Sequence, residues 1–250
     1  MQKIVVANWK MNPQSKKEAE VLFERSKNIS KKYKNSKIIV CPPFPFLYIG
    51  KKNTNKKFLL GAQNTAPLID RPLTGEISPS MLKDMGVDYV IVGHSERRKM
   101  DENDEIINKK ILNLLKNKMK PILCVGEKKR DHDGFYLSFV REQIKSCLIG
   151  VSSLSMKNII IAYEPIWAIG KNAEREATTL EFTEMKIFIK KILSDLYSEK
   201  IAHSVLILYG GSVNPLNAKN FIKEAEADGL LIGRDSLNYK KFEAIIKAVN

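Results

Sequence analysis

Short apolar runs punctuate this chain, and most of the gaps between them have room for a helix. The runs span residues 4–7, 38–41, 58–62, 89–92, 121–125, 159–163, 205–209 and 230–232. They are rich in β-branched residues and are continuous rather than alternating, which marks strands buried on both faces. Segments of helical period lie between them. Ala19, Leu22, Phe23, Ser26 and Ile29 share one face, as do Phe182, Met185, Ile189, Ile192, Leu193 and Leu196, and as do Phe242, Ile245, Ile246 and Val249. The stretch after Gly93 has charged faces and continues as a helix through residues 106–115. Asn214 and Pro215 read as a cap followed by proline at the first helical position.

Strands that alternate with helices pair in parallel through right-handed crossovers. Eight strands in 250 residues predict an α/β fold, a (β/α)₈ barrel of eight parallel strands surrounded by helices. A doubly wound open sheet is the competing architecture. Its glycine fingerprint is missing after the first strand, where Asn8, Trp9 and Lys10 stand instead. No linker or composition break divides the chain, so one domain over residues 1–250 is expected.

Composition narrows the setting. The three cysteines, Cys41, Cys124 and Cys147, form no close-spaced pair, which argues against a disulfide framework or zinc site and fits a reducing cytoplasm. The opening apolar run is too short for a signal peptide or membrane span. The formal charge of +14 points to anions, but lysine supplies nearly all of it and is scattered, as at Lys16, Lys17, Lys31, Lys32, Lys190 and Lys191. A lysine-rich solvated surface is expected, with neither nucleic acid nor membrane as partner.

In such barrels the loops after the strands carry function. The first strand ends at Lys10, a cation suited to a substrate anion, to a Schiff base, or merely to solvent. The fourth is followed by His94, Ser95, Glu96, Arg97 and Arg98. A neutral imidazole at a helix start polarises a carbonyl, because the helix dipole disfavours the cation; a structural histidine is the alternative. Glu96 and the two arginines read as an ion-pair cluster, structural or catalytic. The sixth strand ends in Glu164. A carboxylate there is costly without a partner or a purpose, and general-base catalysis is such a purpose. After it, Pro165, Ile166, Trp167, Ala168, Ile169 and Gly170 have the character of a lid: a stiff exit, an apolar cover and a glycine. Gly210, Gly211 and Ser212 follow the seventh strand, and Gly233 and Arg234 the eighth; glycine turns at these positions suit a phosphate. No histidine pair or C-x-x-C spacing supports a metal.

The chain resembles the triosephosphate isomerase family over essentially its whole length. The resemblance is carried by Asn8-Trp9-Lys10-Met11-Asn12, Gly61-Ala62-Gln63-Asn64, Thr74-Gly75-Glu76-Ile77-Ser78, Val92-Gly93-His94-Ser95-Glu96-Arg97-Arg98, Cys124-Val125-Gly126-Glu127, the stretch 162–170, Tyr209-Gly210-Gly211-Ser212-Val213-Asn214 and the stretch 228–233. It implies an aldose–ketose isomerase of a small phosphorylated sugar that interconverts dihydroxyacetone phosphate and glyceraldehyde 3-phosphate by proton transfer through an enediolate, in glycolysis and gluconeogenesis, with no cofactor or metal. It gives Glu164 the role of base, His94 that of electrophile and Lys10 that of cationic partner. Asn8 orients neighbouring groups and Glu96 is a supporting acid. Gly170, Ser212, Gly233 and Arg234 contact phosphate. It also implies a homodimer, with Thr74 on a loop over 63–76 reaching the neighbour's site.

Three stretches depart from the family pattern. After Gly170 the lid reads Lys171-Asn172-Ala173-Glu174-Arg175-Glu176-Ala177, about two residues longer than usual. Arg234 stands where a second glycine is usual, and Arg71-Pro72-Leu73 precedes Thr74. The first two also suit an isomerase of a four-carbon ketose phosphate such as erythrulose phosphate. A Schiff-base aldolase or lyase using Lys10, and a non-catalytic phosphate-binding barrel, are the readings from other classes.

Overall fold

A computed structural model describes residues 2–51, 53–67, 71–170, 173 and 175–250. Eight strands pair in chain order, all parallel: β1 (Lys3–Asn8), β2 (Ser36–Cys41), β3 (Phe58–Ala62), β4 (Val87–Val92), β5 (Lys120–Val125), β6 (Ile160–Tyr163), β7 (Leu206–Tyr209) and β8 (Gly229–Ile232). β8 closes on β1 through Ala7 opposite Ile232, so the sheet is a closed (β/α)₈ barrel. Every strand lies within two residues of its expected run at both ends.

Continuous hydrophobicity follows from the two cores this geometry creates. Side chains alternate across a strand. One set, including Ile4, Val6, Ile39, Ile91, Ile122, Ile160, Ala162, Leu208 and Leu231, fills the barrel. The other, including Val5, Val40, Val90, Leu123, Ile161, Ile207 and Leu230, packs outward against the helices. The inward parity continues past the strand ends to Asn8 on β1, Gly126 after β5, Glu164 after β6, Gly210 after β7 and Gly233 after β8. Parity thus delivers these five positions to the barrel's C-terminal mouth.

The helices are α1 (Lys16–Lys32), α2 (Pro79–Asp84), α3 (Ser95–Arg98), α4 (Asp104–Lys116), α5 (Phe135–Cys147), α6 (Thr179–Leu196), α7 (Glu199–Ser204), α8 (Ala218–Lys223) and α9 (Tyr239–Val249). Ser15 caps α1, and α6 begins with a reciprocal capping box between Thr178 and Glu181. Among the described residues no helix is long and apolar enough to cross a membrane.

Several local expectations change. The segment after Gly93 is two helices, because Asp101 takes a left-handed conformation (φ 63°) between α3 and α4. Asn214 accepts the N–H groups of Leu216 and Asn217 and so caps a turn, while α8 starts only at Ala218. Leu196, the last residue of α6, is 40% exposed instead of joining that helix's core face. Lys190 is not a solvated lysine, since its ammonium donates to the carbonyls of Ala202, His203 and Val205 at the end of α7.

Candidate active site

Glu164 is anchored by its backbone. Its N–H donates to the Val125 carbonyl at 2.8 Å, tying it to the end of β5. Two glycines give it room. A Cβ at Gly126 would stand 1.8 Å from the Glu164 carbonyl oxygen, and one at Gly210 would stand 3.0 Å from the Glu164 Cγ. The residue is 2% exposed. Its Oε2 accepts the Ser95 N–H at 3.0 Å, while Oε1 is buried without a hydrogen bond among the described residues. A carboxylate oxygen in that state is costly to hold.

Gly93 (φ 69°) ends β4 and turns His94 towards that oxygen, with Nε2 3.4 Å from Glu164 Oε1. On the other side of the ring, Nδ1 accepts the Glu96 N–H at 3.1 Å. An accepting Nδ1 carries no proton, so the ring's single proton sits on Nε2, facing Glu164 and the cavity. His94 is 7% exposed.

Lys10 is also held from its backbone. It takes a left-handed conformation (φ 54°), its N–H is accepted by Asn8 Oδ1 at 3.0 Å, and its carbonyl accepts the Gln63 amide at 2.9 Å. The ammonium meets Glu96 Oε1 at 2.6 Å. Burial works to raise the Glu96 carboxyl, but the hydrogen bond and charge of Lys10 prevail and hold it below its ordinary value. Glu96 therefore pairs with Lys10. It does not join Arg97 and Arg98, which turn to Glu102 and Asp104.

Lys10 and His94 line a cavity of about 490 Å³ together with Ala168, Ile169, Gly170, Ser212, Gly233 and Arg234. Glu164 stands just off it, drawn back by the Ser95 N–H. At the far end the backbone N–H groups of Ser212, Gly233 and Arg234 have no acceptor among the described residues. Free donors of this kind, with Lys10 beside Gly233, are the chemistry that suits an anion. Ser212 Oγ itself donates to the Ala168 carbonyl at 2.7 Å, joining the β7 turn to the segment after β6.

That segment leaves through Pro165, makes a turn of 3₁₀ helix over Ile166–Ala168 and reaches Gly170 in a left-handed conformation (φ 86°). Glu127 underpins it. Its Oε1 accepts the Trp167 indole N–H at 2.7 Å and the Tyr163 hydroxyl at 2.8 Å, and its carbonyl accepts the Ile166 N–H. Burial pushes the Glu127 carboxyl up, against the opposing effect of those two donors. Farther on, Lys171, Asn172 and Glu174 lie outside the described residues, while Ala173, Arg175 and Glu176 reach the cavity. Thr74 is exposed between β3 and α2; residues 68–70 of the same connection lie outside the described residues.

The family profile described as triosephosphate isomerase matches residues 3–249. The chain belongs to the triosephosphate isomerase family. It is similar to the triosephosphate isomerase of Dictyoglomus turgidum, with 41% identity over 98% of this chain and 99% of that one. The triosephosphate isomerase of Aquifex aeolicus is 43% identical over 98% of this chain and 99% of its own. That of Borrelia garinii is 43% identical over 98% of each. Among the residues of this family member that received no role from the sequence are Gln63, Ser95 and Glu127. Glu127 carried a usable signal, because it is a carboxylate two residues past a buried strand, much as Glu164 directly follows its own. Gln63 and Ser95 act through an amide and a backbone N–H, which no residue type announces.

Proposed function

We propose that this chain interconverts dihydroxyacetone phosphate and glyceraldehyde 3-phosphate by proton transfer through an enediolate. The observation that carries the reading is the unpartnered Glu164 Oε1 beside the protonated Nε2 of His94, next to a cradle of free N–H donors. Glu164 is the base. It leaves the Ser95 N–H, takes a proton from one carbon and returns it to the neighbouring one. His94 Nε2–H donates to the carbonyl oxygen as charge builds on it. Triosephosphate isomerases are themselves the standard illustration of a glutamate base beside a neutral histidine, so this division of labour is carried over from the family.

Lys10 supplies positive charge to the substrate anion, Asn8 fixes the Lys10 backbone, and Glu96 holds its ammonium in place. Gly170, Ser212, Gly233 and Arg234 surround the phosphate. Pro165, Ile166, Trp167, Ala168, Ile169 and Gly170 act as the lid that excludes water. A Schiff-base mechanism is disfavoured, because attack on a carbonyl needs a free amine and Lys10 is ion-paired at 2.6 Å.

We also propose one catalytic domain that acts as a homodimer in the cytoplasm. The connections after β1, β3 and β4 expose Met11 (83%), Leu73 (43%) and Met100 (71%) at the end that holds the site. Apolar exposure of this kind favours association, and Thr74 lies beside Leu73. The buried free thiols of Cys41, Cys124 and Cys147 suit a reducing compartment. Sedimentation equilibrium should return twice the chain mass.

The test of substrate is kcat/KM for glyceraldehyde 3-phosphate against a tetrulose phosphate. The triose should win. Preference for the tetrulose would move the assignment to four-carbon ketose phosphates, and turnover of neither would leave a phosphate-binding barrel.

A further inference from the structure

We propose that Arg175 is a positioning residue that latches the lid tryptophan to the first turn of α6. This rests on the lid role given above to Trp167. The Arg175 guanidinium lies over the Trp167 ring, 4.5 Å from its centroid. The same guanidinium forks onto Glu181, with Nη1 2.9 Å from Oε2 and Nη2 on Oε1. Glu181 is in turn fixed, since its Oε2 accepts the Thr178 N–H at 2.8 Å within the capping box of α6. Trp167 is therefore gripped twice: at its edge by Glu127 on the β5 side, and on its face by a cation bound to α6.

The arrangement belongs to the part of the lid where this chain leaves the family pattern. A planar fork can lie flat on an indole while two of its N–H groups pair side by side with one carboxylate, a bidentate hold that an ammonium does not reproduce. Glu181 is well suited to anchor it, because the Arg175 hydrogen bonds, against burial, pull its carboxyl down to about 2. The anchor stays charged throughout the neutral range. Arg130 approaches the same carboxylate at 3.9 Å and also pairs with Glu184, so Glu181 joins the lid to the loop after β5. In the pose the latch holds, Ala168, Ile169 and Gly170 line the cavity. Loosening it lowers the share of molecules with those residues in place, and phosphorylated ligands bind more weakly.

Arg175→Ala tests this with two readouts. Cation–π contacts at exposed sites set the expected size, a KM increase of about two- to fivefold with kcat within about twofold. Acrylamide should quench Trp167 more strongly in the ligand-free variant, against a constant background from the fully buried Trp9. Arg175→Lys should resemble the alanine variant. So should Glu181→Gln, which keeps the capping box but not the charge. Added salt should shift wild-type quenching in the same direction and leave Arg175→Ala unmoved. Unchanged quenching in Arg175→Ala overturns the latch. A higher KM with unchanged quenching also overturns it, because Arg175 would then act on the ligand directly. The quenching needs no substrate, so it decides the latch even if the isomerase reading fails.

Discussion

His94 Nε2 lies 3.4 Å from Glu164 Oε1, and neither atom has a hydrogen bond among the described residues. A proton donor and a carboxylate oxygen this close, both nearly sealed from water, are already in contact, so a substrate carbon reaches Oε1 only once the side chain swings away from the Ser95 N–H. Glu164→Gln keeps the shape of the side chain and its acceptor for the Ser95 N–H while removing the ionisable carboxylate. General-base catalysis contributes about 10²–10⁴-fold, so kcat should fall at least that far with a smaller change in KM. Steady-state kinetics on both substrates checks it, and near-normal turnover would remove Glu164 from the role.

Arg234 is exposed at the rim of the cavity, and its side chain has no partner among the described residues. An unpaired guanidinium beside the free N–H groups of the last two turns adds long-range attraction for phosphate. Arg234→Gly keeps the backbone donors and removes that charge. KM should rise by about five- to tenfold, as for loss of one charge-assisted contact at an exposed site, with kcat little changed. The dependence of kcat/KM on ionic strength should flatten, and an unchanged salt slope would show that Arg234 points its charge elsewhere.

The barrel was legible because each strand is buried on both faces, and the apolar runs at 4–7 or 121–125 have no other use. Glu164, His94 and Lys10 could be found because a charged or titratable residue at the end of such a run breaks the pattern. What escaped depends on contacts between distant segments. The capping role of Lys190 needs the end of α7 folded back on α6, and the pairing of Lys10 with Glu96 joins residues after β1 and β4. The break between α3 and α4 turns on one left-handed residue, Asp101, which ordinary helix propensity does not mark. The setting of Arg175 likewise depends on the fold, which brings Trp167 to one side of its guanidinium and Glu181 to the other.

Glu102 is a buried carboxylate (5% exposed) held by Lys110 at 2.5 Å and Arg97 at 2.6 Å. Burial would raise its carboxyl, yet the two cations outweigh burial and hold it below the ordinary value of 4.5. A carboxyl lowered in the folded state contributes stability that is full above its unfolded value and fades as pH falls through the folded one. Wild type should therefore exceed Glu102→Gln in urea-unfolding free energy at pH 7, and the gap should shrink as pH drops below about 4.5. Lys110→Met leaves the carboxylate buried with Arg97 alone and should cost about 3 kcal/mol. A gap between wild type and Glu102→Gln that stays constant with pH would mean that the carboxyl's charge adds nothing to the fold.

Gly126 and Gly210 both border Glu164, but they touch different parts of it, so their alanine variants should fail differently. At Gly126 the new Cβ would lie 1.8 Å from the Glu164 carbonyl oxygen and 2.6 Å from its carbonyl carbon. Backbone at that distance cannot yield without separating β5 from β6, so Gly126→Ala should lose several kcal/mol of stability or fail to fold. At Gly210 the contacts are 3.0 Å to the Glu164 Cγ and 3.2 Å to the Tyr163 carbonyl oxygen. A side-chain carbon can give way by a few tenths of an ångström, so the barrel should survive while the carboxylate is pushed off its line. A misplacement approaching 1 Å costs about 10²-fold in rate. Gly210→Ala should therefore keep its urea midpoint close to wild type and lose about ten- to a hundredfold in kcat. A Gly210→Ala enzyme with full turnover would show that Glu164 tolerates the displacement. One as unstable as Gly126→Ala would show that the Tyr163 backbone, and not the base, feels the new methyl group.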